Sequence, residues 1–134
     1  MRFLCAEDNE LNAEILMELL KIEGAECTIC ENGEELLKTF EKSAPGEYDM
    51  ILMDVQMPVM NGYEATKAIR RSSHELAERI PIIAMTANAF SEDIQHSLAA
   101  CMNAHISKPV DMKTLEKTIR SIKSGGGGYR NAGH

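Results

Sequence analysis

Basic residues are scarce in this chain, which has 14 lysines and arginines against 21 acidic residues. The resulting formal net charge of −7 makes nucleic acid and anionic membrane surfaces poor partners. Long apolar runs are also lacking, so no segment is predicted to span a bilayer and no direct membrane contact is expected. The first residues lack a secretory pattern and resemble a strand. We therefore expect a cytoplasmic domain, which is compatible with a parent protein that has a membrane anchor elsewhere.

The cysteines lack the arrangement of a zinc site. Cys27 and Cys30 form a C-x-x-C pair, but no second close pair of cysteine or histidine completes a set of four ligands. A redox pair normally begins a helix, whereas this pair is predicted to lie within a strand, where residues three apart face opposite sides. We expect the cysteines to be small buried apolar groups in a reducing compartment.

Strand and helix patterns alternate five times along the chain. Its apolar fraction of 44% is that of a globular protein, and 134 residues suffice for one domain. Met50–Met53 is apolar at every position, as in a strand buried on both faces of a parallel sheet. Strands are predicted at 2–6, 27–30, 48–53, 80–85 and 104–107. The apolar faces of the first, second, fourth and last helices are assigned to Leu11, Ile15, Leu19 and Ile22; to Leu36, Leu37 and Phe40; to Ile94, Leu98 and Cys101; and to Met112, Leu115, Ile119 and Ile122.

This alternation predicts an α/β fold with a parallel sheet covered by helices on both faces. We expect a doubly wound, five-stranded, flavodoxin-like sheet of order 2-1-3-4-5. The domain is predicted to occupy residues 1–123. Residues 124–134, with four consecutive glycines, are expected to be a flexible tail or a cloning remnant.

Chemically capable side chains follow the predicted strands. Glu7 and Asp8 follow the first strand, Asp54 ends the third, Thr86 the fourth and Lys108 the fifth. Ligands of open α/β sheets bind at these carboxyl ends, and neighbouring strands lie only about 4.8 Å apart. Each residue alone is more often a turn former or a cap, but their shared location indicates a site.

Three carboxylates in one crevice repel one another unless a cation lies among them. Oxygen ligands without nearby histidine or cysteine indicate Mg²⁺ rather than zinc. The ammonium of Lys108 and the hydroxyl of Thr86 are suited to phosphoryl oxygens, and a carboxylate such as Asp54 can act as a nucleophile and become an acyl phosphate.

The sequence resembles the receiver domains of two-component response regulators and hybrid histidine kinases over residues 2–122. The resemblance is carried by I-L-M-D-V-Q-M-P-V-M-N-G-Y-E-A at 51–65, P-I-I-A-M-T-A-N-A at 81–89 and S-K-P at 107–109. The first motif is most similar to that of a hybrid-kinase receiver. The resemblance implies a phosphorelay domain whose phosphodonor is a histidine kinase or a histidine phosphotransfer domain, with a kinase core in the same parent chain as one arrangement.

The resemblance also implies a Mg²⁺ site. Asp54 is the implied phosphoacceptor, and Asp8 is implied to bind the cation directly. Glu7 is expected to bind it directly or through water, although aspartate is more frequent at that position. The backbone carbonyl of Gln56 completes the implied protein ligands.

The implied switch involves Thr86, which contacts the phosphoryl group, while Lys108 pairs with it. The segment from Ala87 to Ala104 is expected to adjust with Thr86, and a cis peptide is implied before Pro109. His105 stands where the family often has a swinging aromatic residue, which puts the usual aromatic switch in question. We expect a surface histidine there, with a pH-sensing role as the alternative.

Other function classes remain as alternatives. A haloacid-dehalogenase-type phosphatase also uses an aspartate nucleophile and Mg²⁺, but its general acid would stand at position 56, which is Gln56. A nucleotide-binding domain would need a glycine-rich phosphate loop, whereas the first turn here is acidic. A pseudo-receiver would be expected to lose the acceptor or the acidic pair. We expect self-catalysed phosphorylation and dephosphorylation rather than enzymatic turnover.

Overall fold

The computed structural model describes residues 1–57, 59–87, 95–96, 99–108, 110–125 and 130–131. The strands are β1 (Arg2–Ala6), β2 (Glu26–Cys30), β3 (Met50–Asp54), β4 (Ile82–Thr86), β5 (Ala104–Ser107) and β6 (Arg130–Asn131). The helices within the described residues are α1 (Glu10–Ile22), α2 (Gly33–Lys42), α3 (Gly62–Arg71) and α4 (Met112–Gly125). Ile94 and Leu98, assigned above to a further helix, lie outside the described residues. Cys101, assigned to the same apolar face and expected to be buried, is instead exposed, because it lies in a turn with a φ of 66°. Among the described residues, no helix combines the length and apolarity that a bilayer crossing requires.

The strands form one sheet of order β2-β1-β3-β4-β5-β6, in which every neighbouring pair is parallel. The predicted order of the first five strands is confirmed. β3 and β4 are buried at every position, as expected for central strands covered on both faces. β3 and β4 each begin two residues later than predicted and include Asp54 and Thr86 as their last residues.

The predicted tail contributes a strand that the sequence pattern did not reveal. Residues 130–131 pair with Ala104 and His105 of β5, and α4 continues to Gly125. The rest of the tail, 126–129 and 132–134, lies outside the described residues. The division at residue 123 therefore stays a prediction.

Asparagines begin three of the helices. The side-chain oxygens of Asn9, Asn32 and Asn61 each accept a hydrogen bond from the backbone N–H three residues further on. Asn61 forms a complete capping box with Glu64. These caps start α1 and α2 soon after β1 and β2, whereas the connection from β3 to α3, residues 55–61, is longer.

Two apolar clusters fill the faces of the sheet, one containing Leu4 and Ile51 and the other Phe3 and Leu52. The assigned faces of α2 and α4 are confirmed by the burial of Leu36, Phe40 and Leu115.

The predicted apolar face of α1 is wrong at three of its four residues, while the fourth, Leu19, is half-buried and packs against the core. Leu11, Ile15 and Ile22 are 64%, 48% and 71% exposed, whereas Leu16 and Leu20 are buried against the sheet. α1 carries apolar residues on more than one side, so helical spacing alone fits two different stripes. The docking of α1 on the sheet selects Leu16 and Leu20 and leaves the other stripe on the surface.

Candidate phosphoryl and metal site

The carboxyl edge of the sheet brings together side chains from distant parts of the sequence. β1 and β3 are direct neighbours, so the residues after Ala6 lie beside Asp54. The backbone N–H of Glu7 donates a hydrogen bond of 3.0 Å to the carbonyl of Cys30, which extends the β1–β2 ladder by one residue. Glu7 is therefore held by strand pairing rather than by a loose turn.

Glu7, Asp8 and Asp54 form an acidic cluster. One carboxylate oxygen from each lies within 4.8 Å of the others. Glu7 and Asp54 are 4% and 3% exposed, while Asp8 is exposed. The three carboxylates thus meet as predicted, two of them removed from water.

Lys108 provides the positive charge of the cluster. Its Nζ lies 2.9 Å from Oδ2 of Asp54 and 3.1 Å from Oε1 of Glu7. The backbone N–H of Lys108 donates a 2.7 Å hydrogen bond to the carbonyl of Thr86, which fixes the start of the loop after β5 against the end of β4. The site therefore links β1, β3, β4 and β5.

The pKa values of Glu7 and Lys108 are both raised, which reflects the excess of negative charge at the site. Burial raises the pKa of Glu7, and the hydrogen bond and charge of Asp54 raise it further, outweighing the opposite influence of Lys108. Burial lowers the pKa of Lys108, but the hydrogen bonds and charges of Asp54 and Glu7 outweigh burial and leave that pKa raised. One ammonium does not neutralise three carboxylates, so the site favours an additional cation.

The donor set fits Mg²⁺. The clustered ligand atoms are carboxylate oxygens, and no histidine or cysteine joins the group among the residues that the structure describes. Hard oxygen donors with one exposed member leave room for the waters that Mg²⁺ retains. Gln56 lies next to the cluster, because its backbone N–H donates a 3.2 Å hydrogen bond to Oδ1 of Asp54. The role assigned to its carbonyl stays a prediction.

Thr86 and His105 lie on the same face of the sheet. Thr86 ends β4 and is 5% exposed. The β4–β5 register pairs Ala84 with His105 and Thr86 with Ser107, so His105 and Thr86 are diagonal neighbours.

The expectation of a surface histidine is wrong, since His105 is 1% exposed. Its neighbours Ala104 and Ile106 fill the apolar cluster of the opposite face, and strand alternation turns His105 toward the face of Ala84. β6 also pairs with the outer edge of β5. The implied cis peptide at Pro109 lies outside the described residues, as does most of the segment after Ala87.

Gly62 supports the site and was not identified from the sequence. A Cβ at this position would collide with the carbonyl oxygen of Asp54 and would lie 2.8 Å from Cα of Val55. The backbone N–H of Gly62 also donates a 3.1 Å hydrogen bond to the carbonyl of Val55. The start of α3 therefore packs directly against the backbone of Asp54. A glycine in the first turn of a helix, where it disfavours helix formation, is the signal that could have revealed this contact.

A protein-family model, described as the response regulator receiver domain, matches residues 3–120. Hybrid signal transduction histidine kinase G of Dictyostelium discoideum is 41% identical over 122 residues, covering 89% of this chain. This chain spans only 3% of the length of that kinase.

Two solved structures are similar to this fold, one with a bound magnesium ion and one with a partner protein. The receiver domain of sensor histidine kinase PA1611 of Pseudomonas aeruginosa PAO1, which has magnesium coordinated in its active-site cleft, is 36% identical with a TM-score of 0.80, covering 92% of this chain and 98% of its own. The second is the co-crystal structure of the Saccharomyces cerevisiae histidine phosphotransfer protein Ypd1 with the receiver domain of Ssk1. A chain of this structure is 28% identical with a TM-score of 0.77, and the match covers 90% of this chain and 87% of that one. The family match, the sheet order and the acidic edge agree, and the chain belongs to the response regulator receiver domain family of two-component signalling.

Proposed function

We propose that the chain accepts a phosphoryl group from a phosphohistidine onto Asp54, with Mg²⁺ as cofactor, and signals by a change of conformation. The observation that carries this proposal is the position of Asp54, which lies 2.9 Å from the ammonium of Lys108 and within the acidic cluster that it forms with Glu7 and Asp8. A buried carboxylate beside both a cation and a hard-oxygen site is suited to receive a group that is itself anionic.

In the proposed transfer, an oxygen of Asp54 attacks the phosphorus atom as the phosphorus–nitrogen bond of the phosphohistidine breaks. The bonding electrons of that bond stay with the imidazole nitrogen. Lys108 forms an ion pair with Oδ2 of Asp54, and the N–H of Gln56 donates a hydrogen bond to Oδ1. The carboxylate is therefore oriented before the phosphodonor arrives. Lys108 then stabilises negative charge on the phosphoryl oxygens.

Glu7, Asp8 and Asp54 would hold the cation, as the oxygen donor set allows. When bound, Mg²⁺ supplies positive charge that offsets the carboxylates and the phosphoryl oxygens. Glu7, whose pKa is raised by burial and by Asp54, keeps a proton more readily than an ordinary glutamate when the cation is absent. Proton release from Glu7 and cation binding are therefore expected to be coupled.

The proposed signal leaves the site through Thr86. Its hydroxyl would donate a hydrogen bond to a phosphoryl oxygen, and its diagonal neighbour on the same face is His105. Thr86 and His105 are both buried, so a movement of one requires the other to repack. The segment from Ala87 to Ala104 and the surface of β5 and α4 would then present a different face to a partner.

The proposed phosphodonor is a histidine kinase or a histidine phosphotransfer domain. The assembly of Ypd1 with the receiver of Ssk1 supports such a partner. Leu11 and Ile15 of α1 are exposed, and Ile15, Met85 and Val110 line a cavity of about 250 Å³ that reaches Lys108. This apolar surface beside the acceptor suits the packing of a helical partner. A kinase core in the same parent chain, and a cytoplasmic location, are part of this proposal.

The proposal is tested by incubating the protein with a phosphorylated histidine phosphotransfer domain, or with acetyl phosphate, in the presence of Mg²⁺. We expect one acid-stable, base-labile phosphoryl group per chain, located at Asp54, and no incorporation when EDTA is present from the start. Asp54→Asn should abolish incorporation, while Asp49→Asn, the same change at the opposite edge of the sheet, should not. Equal labelling of Asp54→Asn and the unmodified protein would refute the assignment.

The phosphatase alternative is separated by its turnover. Gln56 offers an amide where that reaction would require a general acid, so we expect no steady release of product from a small phosphate ester. Many turnovers per chain with such an ester would favour the phosphatase over the receiver function.

A further inference from the structure

Cys5 and Cys27 form a thiol pair that the cysteine spacing in the sequence did not reveal. Their Sγ atoms lie 3.1 Å apart across the β1–β2 ladder. The register pairs Phe3 with Cys27 and Cys5 with Ile29, so Cys5 and Cys27 are diagonal neighbours on one face. Cys30, the other member of the C-x-x-C, belongs to the apolar cluster of the opposite face.

The two thiols of this pair differ in access to solvent. Cys5 is fully buried, whereas Cys27 is half-buried on β2, the outermost strand of the sheet on that side. Cys27 also forms part of the wall of a surface cavity of about 290 Å³ together with Phe3 and Tyr48. A small oxidant therefore has a route to Cys27 but not to Cys5.

The hydrogen bond between the thiols also affects the acidity of Cys27. The thiol of Cys5 lies 3.1 Å from the sulfur of Cys27, and this hydrogen bond lowers the pKa of Cys27 and outweighs the effect of burial. The thiolate form of the more accessible Cys27 is therefore favoured.

We propose that Cys5 and Cys27 are a redox modification site, at which hydrogen peroxide converts the two thiols into a reversible cross-strand disulfide. The thiolate of Cys27 attacks one peroxide oxygen, the O–O bond breaks, and a sulfenic acid and hydroxide result. The sulfur of Cys5 then attacks the sulfenic sulfur, the S–O bond breaks, and water leaves with the proton of Cys5. Two thiols lose two electrons and two protons in total, and one peroxide becomes two water molecules.

The disulfide would act next to the acidic cluster. Its formation requires the sulfur atoms to approach from 3.1 Å to about 2.05 Å, which draws β2 toward β1. β1 leads directly into Glu7, whose N–H is bonded to the carbonyl of Cys30 on β2. The site thus joins the redox state of the β1–β2 pair to the position of Glu7, although the proposal itself does not depend on phosphoryl transfer.

The test uses the full chain carrying Cys101→Ser, because Cys101 is exposed and able to link two molecules. Treatment with hydrogen peroxide should lower the number of free thiols from three to one. The intact mass should fall by two hydrogens, and peptide mapping should find a linked pair that contains Cys5 and Cys27. Dithiothreitol should restore all three thiols. In the same background, Cys5→Ala should instead leave Cys27 as a sulfenic acid that dimedone labels, and the control Cys30→Ala should still form the link.

Peptide mapping of the Cys101→Ser protein decides the proposal without the core variants, should Cys5→Ala fail to fold. Retention of all three thiols under peroxide would overturn it. So would a disulfide that joins Cys30 to either partner, or a peroxide-modified Cys27 that never links to Cys5. Labelling of Asp54 is a separate measurement, so failure of the phosphoryl proposal and failure of this one are distinguishable.

Discussion

Two half-buried cations stand at opposite edges of the sheet and have opposite surroundings. Lys108, at the carboxyl edge, contacts the carboxylates of Asp54 and Glu7. Arg70, at the end of α3, donates five hydrogen bonds of 2.8–3.1 Å to neutral oxygens. Its acceptors are the carbonyls of Ala77, Ile80 and Cys101 and the side chain of Asn103.

The pKa values of Arg70 and Lys108 are shifted in opposite directions because of these different surroundings. Burial lowers the pKa of Arg70, and the neutral acceptors do not reverse it. The carboxylates around Lys108 do reverse the effect of burial and raise its pKa. Arg70 stabilises the surrounding loops through hydrogen bonds to neutral oxygens, whereas Lys108 bridges two carboxylates that repel each other. The amino edge is thus built for stability, whereas the carboxyl edge retains an excess of negative charge, which the proposed cation would offset.

The largest expected effect on stability is at the amino edge. Arg70→Met removes all five hydrogen bonds and leaves partly buried carbonyls without a donor, so we expect a loss of about 4 kcal/mol in the free energy of unfolding. Urea denaturation measures this loss. Arg70→Lys should recover less than half of it, because an ammonium cannot span the same acceptors. Phosphoryl acceptance by the folded fraction should be unchanged, and a loss of it would contradict the purely structural role of Arg70.

The second effect tests the packing beneath Asp54. Gly62→Ala places a Cβ 2.8 Å from Cα of Val55 and against the carbonyl of Asp54, and we expect a loss of about 3 kcal/mol together with impaired labelling of Asp54. Gly24→Ala is the control, since that site has a φ of +76° but no atom within 4 Å of the new Cβ. It should lose about 1 kcal/mol from backbone strain and label normally. Similar labelling of both variants would show that Gly62 has no bearing on the acceptor.

The third effect separates stability from function at the carboxyl edge. Lys108→Met leaves Asp54 and Glu7 facing each other, and we expect a loss of about 2 kcal/mol in EDTA, less than for a fully buried pair because Lys108 is 23% exposed. The rate of labelling by acetyl phosphate should fall by about a hundredfold. Lys117→Met, on the exposed side of α4, is the control. A rate within twofold of the control would remove Lys108 from the proposed mechanism.

The smallest effect is a pH dependence. The folded-state pKa of Glu7 is raised above its ordinary value of 4.5, so Glu7 favours the folded state at low pH and this contribution is lost as the pH rises through the raised pKa. In EDTA, Glu7→Gln should therefore gain about 1 kcal/mol over the unmodified protein near neutral pH, and the gain should shrink toward pH 4.5.

Urea denaturation across that pH range measures the difference between the two proteins. Glu26→Gln is the control, because Glu26 is 74% exposed in its pair with Arg2. A stability difference for Glu7→Gln that does not change with pH would contradict the excess of negative charge assigned to the carboxyl edge.

Most of the fold was predictable because local patterns agreed with the tertiary arrangement. The apolar run at Met50–Met53 identified a central strand, and the polar residues that follow the strands predicted the meeting of Glu7, Asp8 and Asp54. Helix α1 was predicted, but its buried face was not, because its sequence offers two apolar stripes and only packing chose between them. The burial of His105 was missed because a short strand gives no sign of what covers it.

The order of strands and helices, and the residue types available at the carboxyl edge, could be read from the periodicity of the chain. Which side chains touch depends on how the elements pack in three dimensions. The pairing of Cys5 with Cys27 in place of Cys30, and the packing of Gly62 beneath Asp54, depend on strand register and on the approach of separate elements. Such contacts join residues far apart in sequence, and no local pattern encodes the distance between them.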